Sequence, residues 1–209
     1  MDIQYYGANC VRISSRKANV VVDDNMAELG QKTVAKAGDL VLVTNPMIGV
    51  PSVDAKIVID MPGEYEVSNI SIQGVVARSH MDPEGKHTGT MFKIIVDDIK
   101  VAVVGHVYPE LSDVQLEALG AIDILVIPVG DSGYTLDSIG ALKLIKKIEP
   151  KIVIPTHYAD KALKYEVPQQ SLEEALKGLS MEPVETVPKL KVKPADFAEN
   201  TQLIILERQ

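Results

Sequence analysis

Two histidines close two apolar runs: His106 ends IKVAVVGH and His157 lies in KIVIPTHY. A neutral imidazole is a ready general base and a common metal ligand near neutral pH, so histidines placed this way are the first candidates for chemistry. Between them IDILVIPVGDSG carries Asp131 just beyond a third apolar run. Each run is too short for a helix and too apolar for a solvated face, so each reads as a buried strand. Gly105, Pro128 with Gly130, and Pro155 stop them. Strands joined through helices form parallel βαβ units, which bind ligands at the carboxyl ends of their strands. His106, Asp131 and His157 are therefore expected along one rim. Asp131 has a plainer reading as well, because Asp-Ser-Gly also makes a turn leading into a helix.

The segments that must position these residues are well punctuated. Residues 3–23 predict an antiparallel opening of IQYY, a turn at GAN, CVRISS, a turn at RKAN, and VVVDD. Asp23 and Asp24 end a buried strand, where acids serve as helix caps or as part of a site. MAELGQKTVAKAG predicts a short helix ended by Gly38, DLVLVTN a strand, NPMIGVPSVD an irregular loop, and KIVID a strand. MPGEYEV, with Glu64 and Tyr65, reads as a turn before the strand NISIQGVVA. SHMDPEGKHTGT is a polar loop of the kind that covers a site, with His87 as a solvated surface residue. MFKIIVDD and IKVAVVGH pair as a hairpin around Asp97 and Asp98. Ser112 with Gln115 and Ser171 with Glu174 are capping boxes. Thr135 reads as the N-cap of a longer helix whose apolar face is Leu136, Ile139, Leu142, Ile145 and Ile148. A Pro-rich stretch, 183–194, leads like a linker into a last strand, TQLIILE. Nothing divides the chain, so 1–209 reads as one domain.

Composition narrows the function classes. A net charge of -8 and the absence of a basic stripe argue against nucleic acid as a partner. A single cysteine, Cys10, excludes a disulfide framework and a cysteine-based zinc site, and nothing near it lowers a thiol pKa. No stretch is long and apolar enough for a membrane span, and MDIQYYGANC lacks the features of a signal peptide. A cytoplasmic protein is expected, with a small molecule or a second copy of the chain as partner. No G-x-S-x-G elbow or phosphate-binding glycine loop is present, which disfavours a serine hydrolase or a nucleotide enzyme.

The succession VAVVGH, AIDILVIPVG, TLDSIGALKLIKKIEPKIVIPTHY, preceded by PGEYEV, resembles the metallo-β-lactamase superfamily, in particular its compact bacterial hydrolase-like branch. The resemblance covers nearly the whole chain. It implies a four-layer αβ/βα sandwich: two mixed β-sheets packed face to face with helices outside, and two metals at the sheet edges. It also implies that the metal motif T-H-x-H-x-D-H falls on TNPMIGV, where Asn45, Met47, Gly49 and Val50 stand at the four ligand positions. The later ligands match His80 in SHMDPEG and His157 in PTHY, His106 replaces a bridging aspartate, and Asp23 matches a supporting aspartate.

A two-metal centre needs a bridging carboxylate and two Lewis-acid ions, and Asn, Met, Gly and Val cannot supply its ligands. The favoured reading is a hydrolase-like fold without that centre: a non-catalytic or divergent small-ligand-binding protein with no cofactor. Its pocket candidates are Asp23, Asn45, Met47 and Asp131, with Met47 and Val50 making the pocket partly apolar and Asn45 hydrogen-bonded inside it. The alternative is a hydrolase of a small ester, lactone or phosphorylated compound with one zinc ion on His80, His106 and His157 and with Asp23 supporting a ligand. A third reading uses His106 or His157 as a metal-free general base.

Overall fold

A computed structural model describes residues Met1–Gln209. The first half of the chain builds β1 (Asp2–Gly7), β2 (Cys10–Ser14), β3 (Asn19–Val22), β4 (Leu40–Leu42), β5 (Ile57–Ile59), β6 (Gly63–Val67), β7 (Ile70–Ala77), β8 (Gly89–Val96) and β9 (Ile99–Val103). The second half alternates through α1 (Asp113–Leu119), β10 (Ile124–Pro128), α2 (Ser138–Ile148), β11 (Ile152–Thr156) and α3 (Leu172–Leu179). It ends with β12 (Pro183–Val187), β13 (Leu190–Lys191) and β14 (Gln202–Leu206). These strands form two mixed sheets, ordered β13-β1-β2-β3-β4-β5 and β12-β14-β11-β10-β9-β8-β7-β6.

Strand alternation explains why the central runs are apolar throughout. Ile124 and Val126 of β10 and Ile152 and Ile154 of β11 face the first sheet, where they meet Ile3, Val11, Val20 and Leu40. Leu125, Ile127 and Val153 point the other way, toward Leu119 of α1, Leu144 and Ile148 of α2, and Leu179 of α3. A strand buried on both faces cannot carry polar residues at every second position. The architecture is thus the expected sandwich of two sheets with helices outside. The helices all cover the second sheet, whereas the outer face of the first is covered by Met26, Leu29, Val34, Ile48 and Leu163 from irregular segments.

Several local expectations change. MAELGQKTVAKAG forms a single turn, with Glu28 and Leu29 donating to the Asn25 carbonyl, and then leaves helical geometry at Gly30 (φ 82°). Asp24 receives the backbone N–H groups of Val34 and Ala35 instead, pinning the segment as an irregular cover. GEYEV is an edge strand antiparallel to β7, not a turn. Residues 183–191 are no linker: β12 runs parallel to β14 and β13 antiparallel to β1, so this stretch crosses from one sheet to the other. The long helix is capped by Asp137, whose side chain accepts from the Gly140 N–H at 2.7 Å, rather than by Thr135. Its buried stripe is Ala141, Leu144, Ile145 and Ile148, while Ile139 faces solvent. A strict three-residue repeat drifts around a 3.6-residue helix, and the true stripe follows the helical period. Both capping boxes form as read.

The strand ends converge on a rim. Asp23 after β3, Gly105 after β9 and His157 after β11 all take left-handed backbone, with φ of 52°, 60° and 59°. Such geometry turns the chain abruptly off a strand and is costly for a residue with a Cβ. Asp23 accepts from the N–H and hydroxyl of Thr44 at 2.7 and 2.6 Å, joining the end of β3 to the residue beyond Val43. Gly105 packs so closely on Thr44 that any Cβ there would overlap its side chain. Gly105→Ala is therefore expected to lower the unfolding free energy by about 1–3 kcal/mol in urea titrations, and a loss below about 0.5 kcal/mol would show the rim to be slack.

Candidate functional site

Beyond the rim lies a buried chain of side-chain hydrogen bonds whose directions follow from one fixed point. Gln169 Nε2 lies 2.9 Å from the Val167 carbonyl, which only accepts, so Gln169 Oε1 must face His157 Nδ1 at 3.1 Å. His157 therefore carries its proton on Nδ1 and offers Nε2 as a lone pair. His106 Nε2 lies 3.2 Å from that Nε2 and must be the N–H donor. The Nδ1 of His106 is then an acceptor, filled by Asn9 Nδ2 at 3.2 Å, and Asn9 Oδ1 accepts from the Thr156 hydroxyl at 3.0 Å. Every ring nitrogen of the pair is in use.

The elements place these groups without slack. His157 donates its own N–H to the carbonyl of Ala8 at 2.8 Å, so the end of β11 is tied to the β1–β2 turn that also holds Asn9. Gly130 lets the Gln169 side chain approach, since a Cβ there would collide with its Oε1. Burial holds both imidazoles neutral: it pushes His106 well below the ordinary value, helped by His157 and His80, and pushes His157 down to about 4. The rings form the floor of a cavity of about 170 Å³, walled by Tyr134, Tyr165, Ile48 and Met47. Tyr134 meets His106 edge-on with ring centres 5.1 Å apart, and Tyr165 lies tilted against His157 at 5.2 Å. Burial raises the Tyr134 hydroxyl pKa, and Glu166 and Glu28 at the mouth raise it further.

Other candidates fall elsewhere. His80 is held beside the pair, its N–H donating to the His106 carbonyl at 2.6 Å, but its buried Nδ1 has no partner. Asp23 serves Thr44, not a histidine, and burial raises its pKa to about 7 against the two Thr44 bonds. Asn45 satisfies its amide oxygen locally, accepting from the Met47 N–H at 2.9 Å, and does not line the cavity. Its loop reaches the cavity through Met47 and Ile48, while Val50 faces solvent. Asp131 is an exposed turn residue (φ 61°) whose carbonyl accepts from Tyr134 and Thr135. Cys10 is buried and its thiol pKa is pushed well up, as expected of a structural cysteine. Sequence reasoning did not single out Asn9, Gln169, Tyr134 or Tyr165. The only signals for them were a turn, GAN, and a polar pair, Gln169–Gln170, in a loop.

The two imidazoles can be compared with the ligands of a metal site. Two imidazole nitrogens 3.2 Å apart match the roughly 3.3 Å spanned by two zinc ligands at 2.0–2.1 Å in tetrahedral geometry. No three His, Cys, Asp or Glu side chains converge, and in the tautomers set by Gln169 the His157 lone pair faces the His106 N–H.

A two-sheet sandwich with helices on one face and a histidine pair at its strand ends defines a metallo-β-lactamase-type fold. The chain belongs to the beta-lactamase superfamily domain family, whose model matches residues 2–157. A metallo-β-lactamase superfamily protein of Thermotoga maritima superposes with a TM-score of 0.77 at 24% identity, covering 100% of this chain and 99% of that one. An isothiocyanate hydrolase from Delia radicum gut bacteria superposes at TM-score 0.59 and 11% identity, covering 85% and 91%. A protein named metal-dependent hydrolase from Thermoplasma acidophilum is 29% identical over 103 residues, 46% of this chain and 43% of its own length. The chain therefore matches under half the length of such curated relatives. No helix is long and apolar enough to cross a membrane.

The buried groups make opposite contributions to stability as pH changes. The unfolded chain protonates histidine below about 6.5 while the folded pair resists it, so the pair costs stability as pH falls from 6.5 toward 4. Asp23 holds its proton up to about 7 in the fold but loses it near 4 when unfolded, so its contribution is lost as pH rises between them. Asp23→Asn tolerates the left-handed backbone, keeps the Thr44 N–H bond through Oδ1 and reverses the other, with Nδ2 donating to the Thr44 hydroxyl oxygen. The stability of wild type minus variant is expected to grow by about 2–3 kcal/mol as pH is lowered from 7.5 to 5. A difference that stays constant would mean Asp23 is ionised throughout.

Proposed function

We propose that this chain is a metallo-β-lactamase-fold protein that binds a small organic molecule over His106 and His157 and does not build the two-metal hydrolytic centre. The observation that carries this reading is the closed hydrogen-bond chain: Gln169, His157, His106 and Asn9 use all four imidazole nitrogens on one another. A resting site built for metal presents free lone pairs, with N–H groups turned toward supporting acceptors. Here one Nε2 carries a proton and aims it at the other. The replacement of the motif positions by Asn45, Met47, Gly49 and Val50 supports the same conclusion.

A second reading is one zinc ion held by His80, His106 and His157 in a divergent hydrolase. The Nε2 spacing, the unpartnered His80 Nδ1 and the names of the sequence relatives favour it. It requires His106 to move its proton to Nδ1 and Asn9 to turn its amide.

Zinc titration of chelator-treated protein by calorimetry separates the two, with hydrolysis of a simple lactone followed in parallel. The expected result is no stoichiometric zinc uptake and no turnover in wild type or in His106→Ala. One equivalent of zinc in wild type, lost in His106→Ala together with turnover, would replace this reading by the hydrolase.

A further inference from the structure

We infer that the cavity over His106 and His157 selects a small organic cation, an amine or amidine, over neutral and anionic molecules of the same size. This rests on the ligand-binding reading above and adds the chemical class of the ligand.

Few polar groups of the walls are left free to meet a ligand. The four imidazole nitrogens are occupied, and both ends of the Gln169 amide are spent on His157 and Val167. The Tyr165 hydroxyl donates to the Tyr158 carbonyl and accepts from the Ala8 N–H, each at 3.2 Å, so this residue shows the cavity its ring. An anion entering here would find no free donor on the floor. What remains is the Tyr134 hydroxyl and the Asn25 amide, which suit a neutral or charged guest alike, together with aromatic faces, which attract cations, and carboxylates. Glu28 and Glu166 line the mouth, and neither takes part in any of the ion pairs. Glu28 Oε1 lies beside Gly49, in space that a side chain at that position would take. Lys164 is the only cation in the lining and opposes the preference. Two carboxylates against one ammonium leave the mouth negative.

Three probes of one shape test this by calorimetry at pH 7: benzylammonium, benzyl alcohol and benzoate. Wild type is expected to bind benzylammonium at least about tenfold more tightly than benzyl alcohol, with benzoate weakest. Glu28 and Glu166 are exposed, so the double variant Glu28→Gln, Glu166→Gln is expected to fold and to bring benzylammonium within about twofold of the alcohol. Lys164→Gln is expected to widen the preference. Equal binding of the three probes, or tightest binding of benzoate, would overturn the cation selectivity and leave the cavity as a small-molecule site. Failure of all three to bind would overturn both. A preference for benzylammonium that survives in the double variant would overturn the role given to the carboxylates.

Discussion

His106 and His157 meet through their Nε2 atoms at 3.2 Å, and the direction of that bond is set at a distance, by the carbonyl of Val167 acting through Gln169. Reversing it would leave Gln169 facing a carbonyl with another carbonyl oxygen, so the imidazole protons are fixed by a backbone group in a neighbouring loop. An unmade bond in a buried site costs about 1–3 kcal/mol, which makes a mixed set of directions unfavourable at every link. The absence of a free lone pair and the donor-poor floor follow from this chain, while burial keeps both rings neutral.

The fold tolerates such a site because the core and the rim are separate parts of each strand. In β9, β10 and β11 the alternating apolar residues fill two cores whatever stands at the ends. The ends are set by left-handed turns at Asp23, Gly105 and His157 and by the Thr44 contacts. Side chains at those ends can change type while the backbone still brings them together. The superposition on the Thermotoga maritima protein at 24% identity shows the same scaffold under a very different sequence. Within this rim the His106 imidazole is long enough to reach His157 directly.

The sandwich was legible because it depends on short apolar runs and on punctuation: the runs, Gly105 and the two capping boxes do in the structure what their chemistry implies, whereas Pro155 lies inside β11, paired with Ile127, and the strand runs on to Thr156. The elements that were misread depend on partners distant in sequence. GEYEV is a strand because β7 pairs with it, and residues 26–38 cover a sheet irregularly because Asp24 ties down Val34 and Ala35. For the site, the sequence placed His106 and His157 on one rim, and they touch. It did not show that they would satisfy each other, because that outcome turns on Asn9, 97 residues from His106, and on Gln169 in a loop of no marked pattern. Asn45 was assigned to the pocket, yet an amide two residues before a free N–H closes a local turn more readily than it reaches across a cavity.

The most direct test of this account is the protonation pattern of the two rings, read from long-range proton–nitrogen correlation spectra of histidine-labelled protein at pH 7 without added metal. One of each neutral form is expected, with His106 protonated at Nε2 and His157 at Nδ1. Finding both rings protonated at Nδ1, with two unprotonated Nε2 atoms facing one another, would contradict it, since that is the pattern of a site waiting for an ion.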